Sequence, residues 1–204
     1  MIKRLFDIFF SIAGLLLLFP LFLCVSGLII IDSPGGVFYR GIRSGLNGKP
    51  FRIFKFRTMV ERGEKIGGPS TSLNDPRLTR TGRFIRKYKI DEFPQLINIL
   101  LGQMSFVGPR PQVEEYTRLY NEDEKIILSV RPGLTDYASI RFITLDKILG
   151  DVRVDEKYLS EIEPEKNRLR IKYVKEQSML TDLKIIFLTI AALLRINSLW
   201  NTGD

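Results

Sequence analysis

The sequence predicts an α+β fold, mainly α: an N-terminal re-entrant membrane helix, a short β-hairpin, and amphipathic interfacial helices around a small globular domain. Three observations carry this. Residues 5–31 are almost wholly apolar, two short aromatic-rich runs flank a Gly-Leu-Asn-Gly turn at 45–48, and residues 178–199 repeat apolar side chains at helical steps. With 204 residues, 45% of them hydrophobic, the chain is long enough for one domain with its own core and too short for two large ones. The expected division is a membrane segment over residues 1–33 and a cytoplasmic domain over 34–204 that ends in the amphipathic helix.

The apolar run is interrupted only by Asp7, Ser11, Ser26, glycines and Pro20. It exceeds the ~20 helical residues that cross a hydrocarbon core of ~30 Å. Its length, and the lack of a small-x-small site before a polar start, argue against a cleaved signal peptide. Cations stand on both flanks, Lys3 and Arg4 before it and Arg40, Arg43, Lys49, Arg52, Lys55 and Arg57 after it. Such symmetry gives the positive-inside rule no direction. An internal proline removes a backbone donor and clashes with the carbonyl four residues back. A helix that enters, bends at Pro20 and returns therefore puts both flanks on one side. A kinked span with the following domain in the cytoplasm fits the same residues, and the sequence leaves the two open.

Asp32-Ser33-Pro34-Gly35-Gly36 is a turn-rich break. Beyond it, residues 37–40 and 50–57 read as the strands of a hairpin with one basic face, Phe51, Ile53 and Phe54 or Phe56 roughly alternating with Arg52, Lys55 and Arg57. Residues 60–76, rich in Gly, Pro, Ser and Thr, read as a mobile loop. Residues 81–88 form a short basic helix. Asp91 is placed as the N-cap of the next helix, with Glu92 and Pro94 in its first turn, residues 96–101 along its body and Gly102 as its stop. Gly108-Pro109-Arg110-Pro111 is rigid and extended, helices are expected around 113–120 and 122–128, and residues 131–135 form a turn. Residues 151–168 carry mixed charge and read as exposed surface. The closing helix, with Leu180, Leu183, Ile186, Phe187, Ile190, Ala191 and Leu194 as its stripe, packs on the core or lies in a membrane interface with Lys184, Arg195 and Trp200 near headgroups.

The chain has no histidine, which removes the commonest general base near neutrality and the commonest transition-metal ligand. Its single cysteine, Cys24, lies inside the apolar run, so neither an intrachain disulfide nor a thiolate metal site is available. A reducing, cytoplasm-facing location is the simplest reading. Chemistry is left to carboxylates, hydroxyls, Lys, Arg or a hard metal ion. The net charge of +8 is unevenly placed: residues 40–89 hold fourteen Lys and Arg against Glu61, Glu64 and Asp75, a local +11. Such a block expects nucleotide phosphates, lipid headgroups or nucleic acid. On charge alone, a solvated basic face serves as well.

Seven segments then follow one another in an order that spacing alone does not require. They are Lys3-Arg4-Leu5-Phe6-Asp7, Gly45-Leu46-Asn47-Gly48, Phe54-Lys55-Phe56-Arg57-Thr58-Met59, Asp75-Pro76-Arg77 with residues 79–85, Asp91-Glu92-Phe93-Pro94-Gln95, Gly108-Pro109-Arg110-Pro111 and Arg131-Pro132-Gly133-Leu134-Thr135. Over essentially the whole chain they resemble the bacterial sugar transferases, in the small form that acts as a monotopic polyprenol-phosphate phosphoglycosyl transferase. The resemblance implies transfer of a sugar-1-phosphate from a UDP-sugar to undecaprenyl phosphate, with release of UMP, initiating glycoconjugate assembly. It implies a place at the bacterial inner (cytoplasmic) membrane, with the catalytic domain facing the cytoplasm. It implies that Asp91 is the nucleophile, carrying the phosphosugar as an acyl phosphate, and that Glu92 holds Mg²⁺. Arg86 and Arg110 are implied as phosphate-binding residues, and Lys55 and Arg57 as substrate-binding residues near the site.

Elementary chemistry agrees. A carboxylate is a competent nucleophile toward phosphorus, and a hard cation neutralises a diphosphate and its leaving group. A helix N-terminus adds positive potential. Arg110, held between two prolines, offers its guanidinium fork at low backbone entropy, and surrounding cations favour an ionised Asp91. In isolation, Asp91-Glu92 is a routine pair of acids at a helix start.

Two positions depart from the family pattern. Phe19-Pro20 replaces a common Ser-Pro pair and loses a hydroxyl for a freed carbonyl, and Asp136-Tyr137 stands where Gly-Trp is common, in a region expected to face nucleotide or sugar. A second reading is a membrane-tethered basic module that binds anionic lipid or nucleic acid through residues 40–89. It gives Asp91-Glu92 and residues 108–111 no role. The expected partners are therefore the UDP-sugar, undecaprenyl phosphate and membrane lipids, without nucleic acid.

Overall fold

In the computed structural model, which describes residues 2–61, 63, 75–145 and 154–201, most regular structure is helical. α1, Ile2–Asp32, is one helix of 31 residues that continues through Pro20 instead of ending there. At ~1.5 Å per residue it is about 46 Å long, and its apolar stretch has a mean hydropathy of 2.7, enough to cross a membrane.

α1 is tied to the rest of the chain at both ends. Near its start, Lys3 Nζ donates to the Val107 carbonyl at 2.9 Å and pairs with Asp182. Arg4 donates to the carbonyls of Ile99 and Leu100, at the end of α3, Gln95–Leu100. Asp7 is buried and accepts from Ser105 Oγ and Phe106 N, both at 3.1 Å. At the other end Asp32 accepts from Thr81 N at 2.7 Å, while Arg57 donates to the carbonyls of Pro34 and, at 2.8 Å, Ser33. Between these points Leu15 and Leu18 pack on the cluster of Phe51, Leu96 and Ile99, and Val25 and Ile29 on Phe56 and Ile85. Both flanks of the apolar run thus rest on one body.

The opposite face of α1 exposes twelve large apolar side chains between Ile2 and Ile31. Withdrawing each from water is worth ~1.5–3 kcal/mol. Together they exceed the ~5–15 kcal/mol that holds a typical domain folded, so a face of this size needs an apolar cover.

The expected hairpin forms in two paired stretches. β1, Phe38–Tyr39, runs antiparallel to β4, Lys55–Phe56, and β2, Ile42–Ser44, to β3, Pro50–Arg52. Asn47 at φ 55° and Gly48 at φ 73° supply the left-handed residues of the turn. The hairpin has no uniform basic face: Arg52 is exposed, Lys55 is half-buried, and Arg57 is buried against the end of α1. α2, Arg80–Lys87, starts at Thr79, whose hydroxyl accepts from Gly82 N at 2.9 Å.

Asn98 of α3 staples the hairpin in place. Fully buried, it accepts from Phe54 N at 2.8 Å and donates to the Arg52 carbonyl at 2.9 Å and to Gln103 at 2.7 Å. Residues 131–135, expected as a turn, supply a strand instead. β6, Gly133–Thr135, runs parallel to β5, Ser105–Val107. The backbones meet so closely beyond the pair that a Cβ on Gly108 would strike the Arg131 carbonyl, and one on Gly133 would strike Gly108.

α4, Glu114–Thr117, and α5, Tyr137–Arg141, are short. α6, Val154–Lys157, passes through a π turn, Tyr158–Ile162, into α7, Glu163–Glu176, and α8, Met179–Asn201, closes the chain. The stretch expected as exposed surface at 151–168 is in fact partly interior. Tyr158, Ile162, Glu163, Lys166 and Asn167 are buried, because the π turn and the start of α7 face the core with their polar groups paired to one another. In α8 the apolar residue fully buried is Ile185, which lies off the expected stripe and packs with Val107 and Tyr173; of the stripe itself Ile186 is partly buried, while Leu180, Leu183, Phe187, Ile190 and Leu194 are exposed. Most of the loop expected at 60–76, and the side chains of Arg195 and Trp200, lie outside the described residues.

Leaving a buried amide or carbonyl unpaired costs ~1–3 kcal/mol. Asn98→Ala strands two such groups and is expected to lower stability by about 2–4 kcal/mol, measured as the unfolding free energy in detergent. A loss below about 0.5 kcal/mol would contradict the staple.

Candidate active site

Three segments converge on a cavity of about 440 Å³: the hairpin, the turn that follows α2, and the Pro-flanked stretch after β5. Lys89 sets the turn. Its left-handed conformation, φ 57° and ψ 18°, reverses the chain into a single 3₁₀ turn, Ile90–Glu92. Asp91 is therefore not the N-cap of α3. Pro94 occupies that position, without a side-chain cap, and the 3₁₀ turn directs Asp91 inward to 6% exposure.

Glu92 lies between two cations. Lys55 Nζ donates to Oε1 at 3.0 Å, and Arg110 clamps the carboxylate with both terminal nitrogens, Nη1 to Oε2 at 3.0 Å and Nη2 to Oε1. Arg110 is fixed by its backbone as well, since its N–H points to Asp136 Oδ2 at 3.4 Å and the neighbouring Gly108 N donates to the Thr135 carbonyl at 3.0 Å. Lys55 reaches Asp91 less closely, 3.8 Å from Oδ2. Asp91 Oδ1 is buried and has no hydrogen-bond partner among the described residues.

The two carboxylates are thereby driven apart. For Glu92, burial works to raise the pKa, but Arg110 and then Lys55 overcome it and hold the carboxyl well below its ordinary value. For Asp91, burial wins: it raises the carboxyl, Lys55 opposes, and the adjacent Glu92 charge adds to the rise. Arg86 and Lys89 pull the same group down. Lys55 itself is pushed down by burial, against Glu92. Glu92 is saturated with cations, whereas Asp91 keeps one oxygen open.

Of the residues expected at the site, Lys55, Arg86, Asp91, Glu92 and Arg110 line the cavity together. Arg57 does not. Strand parity puts it on the same side as Lys55, but β4 ends at Phe56, and the Arg57 guanidinium turns to the carbonyls of Ser33 and Pro34. Its contacts are those of an anchor for the end of α1.

A metal has few protein ligands to draw on. Among the described residues, no three His, Cys, Asp or Glu side chains gather at one point. Mg²⁺ tolerates this, because it commonly takes one or two carboxylates and completes its shell with water and substrate phosphates. Glu92 fits such a role, provided it exchanges part of its contact with Arg110 or Lys55.

The cavity also holds residues that the sequence did not single out. Lys89 lies beside the carboxylates, and Lys166 and Arg170 enter from α7. Arg170 is fully buried and donates through Nη1 to Glu163 at 2.7 Å and Asn167 at 2.6 Å. Lys166, 5% exposed, donates to the Tyr158 hydroxyl at 3.3 Å, and burial first, then Arg170, pushes it down to about 7. The spacing of Glu163, Lys166, Asn167 and Arg170 on one helical face was the available signal. Ile53, Phe106, Leu134, Ile186 and Ile190 supply an apolar wall.

The chain matches the bacterial sugar transferase family over residues 1–196. It is similar to the exopolysaccharide production protein ExoY of Sinorhizobium fredii, 38% identical over 93% of this chain and 84% of that one. It is 37% identical to the UDP-glucose:undecaprenyl-phosphate glucose-1-phosphate transferase of Escherichia coli, over 93% of this chain but only 39% of that longer protein. A putative undecaprenyl-phosphate N-acetylgalactosaminyl 1-phosphate transferase of Bacillus subtilis is 43% identical over 60% of this chain and 68% of its own.

Removing a like charge beside Asp91 favours its ionised form, and removing a cation disfavours it. The carboxyl of Asp91, followed by ¹³C NMR against pH, is expected to titrate above the ordinary aspartate value of ~3.9. Glu92→Gln should move its midpoint to lower pH, and Lys55→Met to higher pH. A midpoint that falls in Lys55→Met would contradict this electrostatic arrangement.

Proposed function

The chain belongs to the bacterial sugar transferase family, and from that premise we propose that it moves a sugar-1-phosphate from a UDP-sugar to undecaprenyl phosphate. The transfer releases UMP and passes through a phosphosugar held on Asp91. One observation carries this reading: a buried carboxylate oxygen on Asp91 has no partner, beside a Glu92 that two cations already neutralise. A structural acid would be paired. An oxygen left unpaired in the field of Lys55, Arg86 and Lys89 suits attack on phosphorus.

The donor diphosphate sits against Arg110, Arg86 and Lys55, whose N–H groups hold its charge. An Asp91 oxygen attacks the phosphorus next to the sugar. The bond from that phosphorus to UMP breaks, and UMP leaves with the electron pair. An oxygen of undecaprenyl phosphate then attacks the same phosphorus, the Asp91 oxygen–phosphorus bond breaks, and the carboxylate is restored with a polyprenol diphosphosugar as product. Mg²⁺ would be held by Glu92 together with donor phosphates and would supply charge neutralisation for the diphosphate and the leaving UMP.

The rest of the molecule suits a lipid acceptor. The apolar face of α1 and the exposed stripe of α8 need an apolar cover, and both ends of α1 return to one body, as residence on one side of a membrane requires. Ile190 of α8 is at once exposed and part of the cavity wall, so the site opens toward that apolar surface. Residues 1–33 then lie in the inner membrane and residues 34–204 on its cytoplasmic face. Lys55, Arg86 and Lys89 line the cavity, while Arg40, Lys49, Arg52, Arg80, Arg83 and Lys87 stay exposed, as cations that face lipid headgroups would be.

Purified protein is to be given undecaprenyl phosphate, Mg²⁺ and a panel of UDP-sugars, with UMP and lipid-linked sugar measured. Asp91→Asn is expected to lower turnover at least about a thousandfold, and Arg110→Lys, which loses the two-pronged grip, to raise the donor KM about tenfold. Undiminished turnover in Asp91→Asn would refute the proposal.

A further inference from the structure

The transfer chemistry gives no task to the two cations that enter the cavity from α7. Arg170 is fully buried, and only one of its three nitrogens is engaged: Nη1 meets Glu163 and Asn167, with the Tyr120 hydroxyl at 3.5 Å. Nε and Nη2 are buried without hydrogen-bond partners among the described residues. These two nitrogens form the lateral edge of the guanidinium, whose parallel N–H bonds match the two oxygens of a carboxylate. Arg77 uses that edge on Asp75, Nε to Oδ1 at 2.9 Å and Nη2 to Oδ2 at 2.6 Å. Arg170 offers the same edge with no hydrogen bond to it among the described residues.

The surroundings define what is missing. Glu163 braces Arg170 but does not line the cavity, whereas Arg170, Lys166, Gln112 and Tyr158 do. The Tyr158 hydroxyl accepts from both Lys166, at 3.3 Å, and Gln112, at 3.0 Å. Two buried acids, Glu163 and Asp136, act on Arg170 and Lys166, yet neither is hydrogen-bonded to Nε or Nη2 of Arg170, and a buried donor left unpaired is costly. A carboxylate in the cavity would pair both nitrogens. Arg110, which clamps Glu92 at the phosphate end, lines the same cavity as Lys166 and Arg170, so one donor can meet both ends.

We infer that this end of the cavity is the sugar subsite and that it selects a donor whose sugar bears a carboxylate, a uridine diphospho-hexuronate, gripped by Arg170 Nε and Nη2 with Lys166 alongside. The inference rests on the phosphoglycosyl reading above, since it places the sugar beside a phosphorus that Asp91 attacks. Uracil, whose ring carbonyls flank an N–H donor, cannot accept from Nε and Nη2 in parallel as a carboxylate does.

The test compares kcat/KM for UMP release from a UDP-hexose, a UDP-N-acetylhexosamine and a UDP-hexuronate. The hexuronate is expected to lead by about tenfold or more. Arg170→Lys, which keeps a cation opposite Glu163 but loses the lateral edge, should erase most of that preference and leave inhibition by UMP within about twofold. Lys166→Met, which leaves the Glu163 pair untouched, should also reduce the preference and carries the test alone where Arg170→Lys does not fold. Equal or better use of the neutral donors would overturn the inference and leave the phosphoglycosyl reading standing. Weakened UMP inhibition with an equal loss for all donors would assign the pocket to uracil and likewise overturn it. UMP release from none of the donors would refute the underlying reading, and this one with it.

Discussion

Glu92 is nearly buried between Lys55 and Arg110, and much of the site follows from that arrangement. A lone carboxylate at this depth would cost several kcal/mol. With an Arg fork on both oxygens and a Lys on one of them, it becomes a fixed anionic post that draws three segments of chain together. The same post commits both cations. Neither makes a close hydrogen bond to Asp91, whose Oδ1 stays unpaired among the described residues, while the positive field of Lys55, Arg86 and Lys89 still reaches it. Two adjacent acids of like chemistry are given different states by their neighbours, which is the usual physical means of assigning them different roles.

The scaffold exists largely to hold those neighbours still. Asn98 pins the hairpin from α3 and so sets the height of Lys55. The close approach of Gly108 to Gly133 fixes the Pro109-Arg110-Pro111 stretch against β6. α1 adds a second function to its apolar face, because Lys3, Arg4 and Asp7 bind β5, α3 and α8 at one end, while Asp32 meets the start of α2 at the other. A helix that belongs to the membrane by composition is thus part of the framework that shapes the cavity. Displacing it would loosen both the α3 terminus and the segment that leads to Arg110.

Much of this was legible in the residues. The apolar run, the hairpin, the short basic helix and the convergence of Asp91, Glu92, Lys55, Arg86 and Arg110 all follow from pattern and motif order. Asp91 misled as an N-cap, since an acid three residues before Pro94 looks like a helix start; only the left-handed Lys89 shows that the chain makes a separate 3₁₀ turn there. Arg57 misled because strand parity pairs it with Lys55, and parity holds only while the strand continues. Gly133 looked like a turn residue, yet its lack of a side chain serves a close strand contact 25 residues distant in sequence, from Gly108. Lys166 and Arg170 were lost in a mixed-charge segment because composition does not report burial. Polar residues bury when they satisfy one another, and that is a property of the packed helix face.

The central claim is that Asp91 carries the sugar phosphate covalently. Borohydride reduces an aspartyl phosphate to homoserine and leaves a free aspartate unchanged. Protein incubated with donor and Mg²⁺ but no lipid acceptor, then reduced, digested and sequenced by mass spectrometry, should contain homoserine at residue 91 and Glu at residue 92. UMP released under the same conditions with Asp91 intact in every peptide would contradict the account.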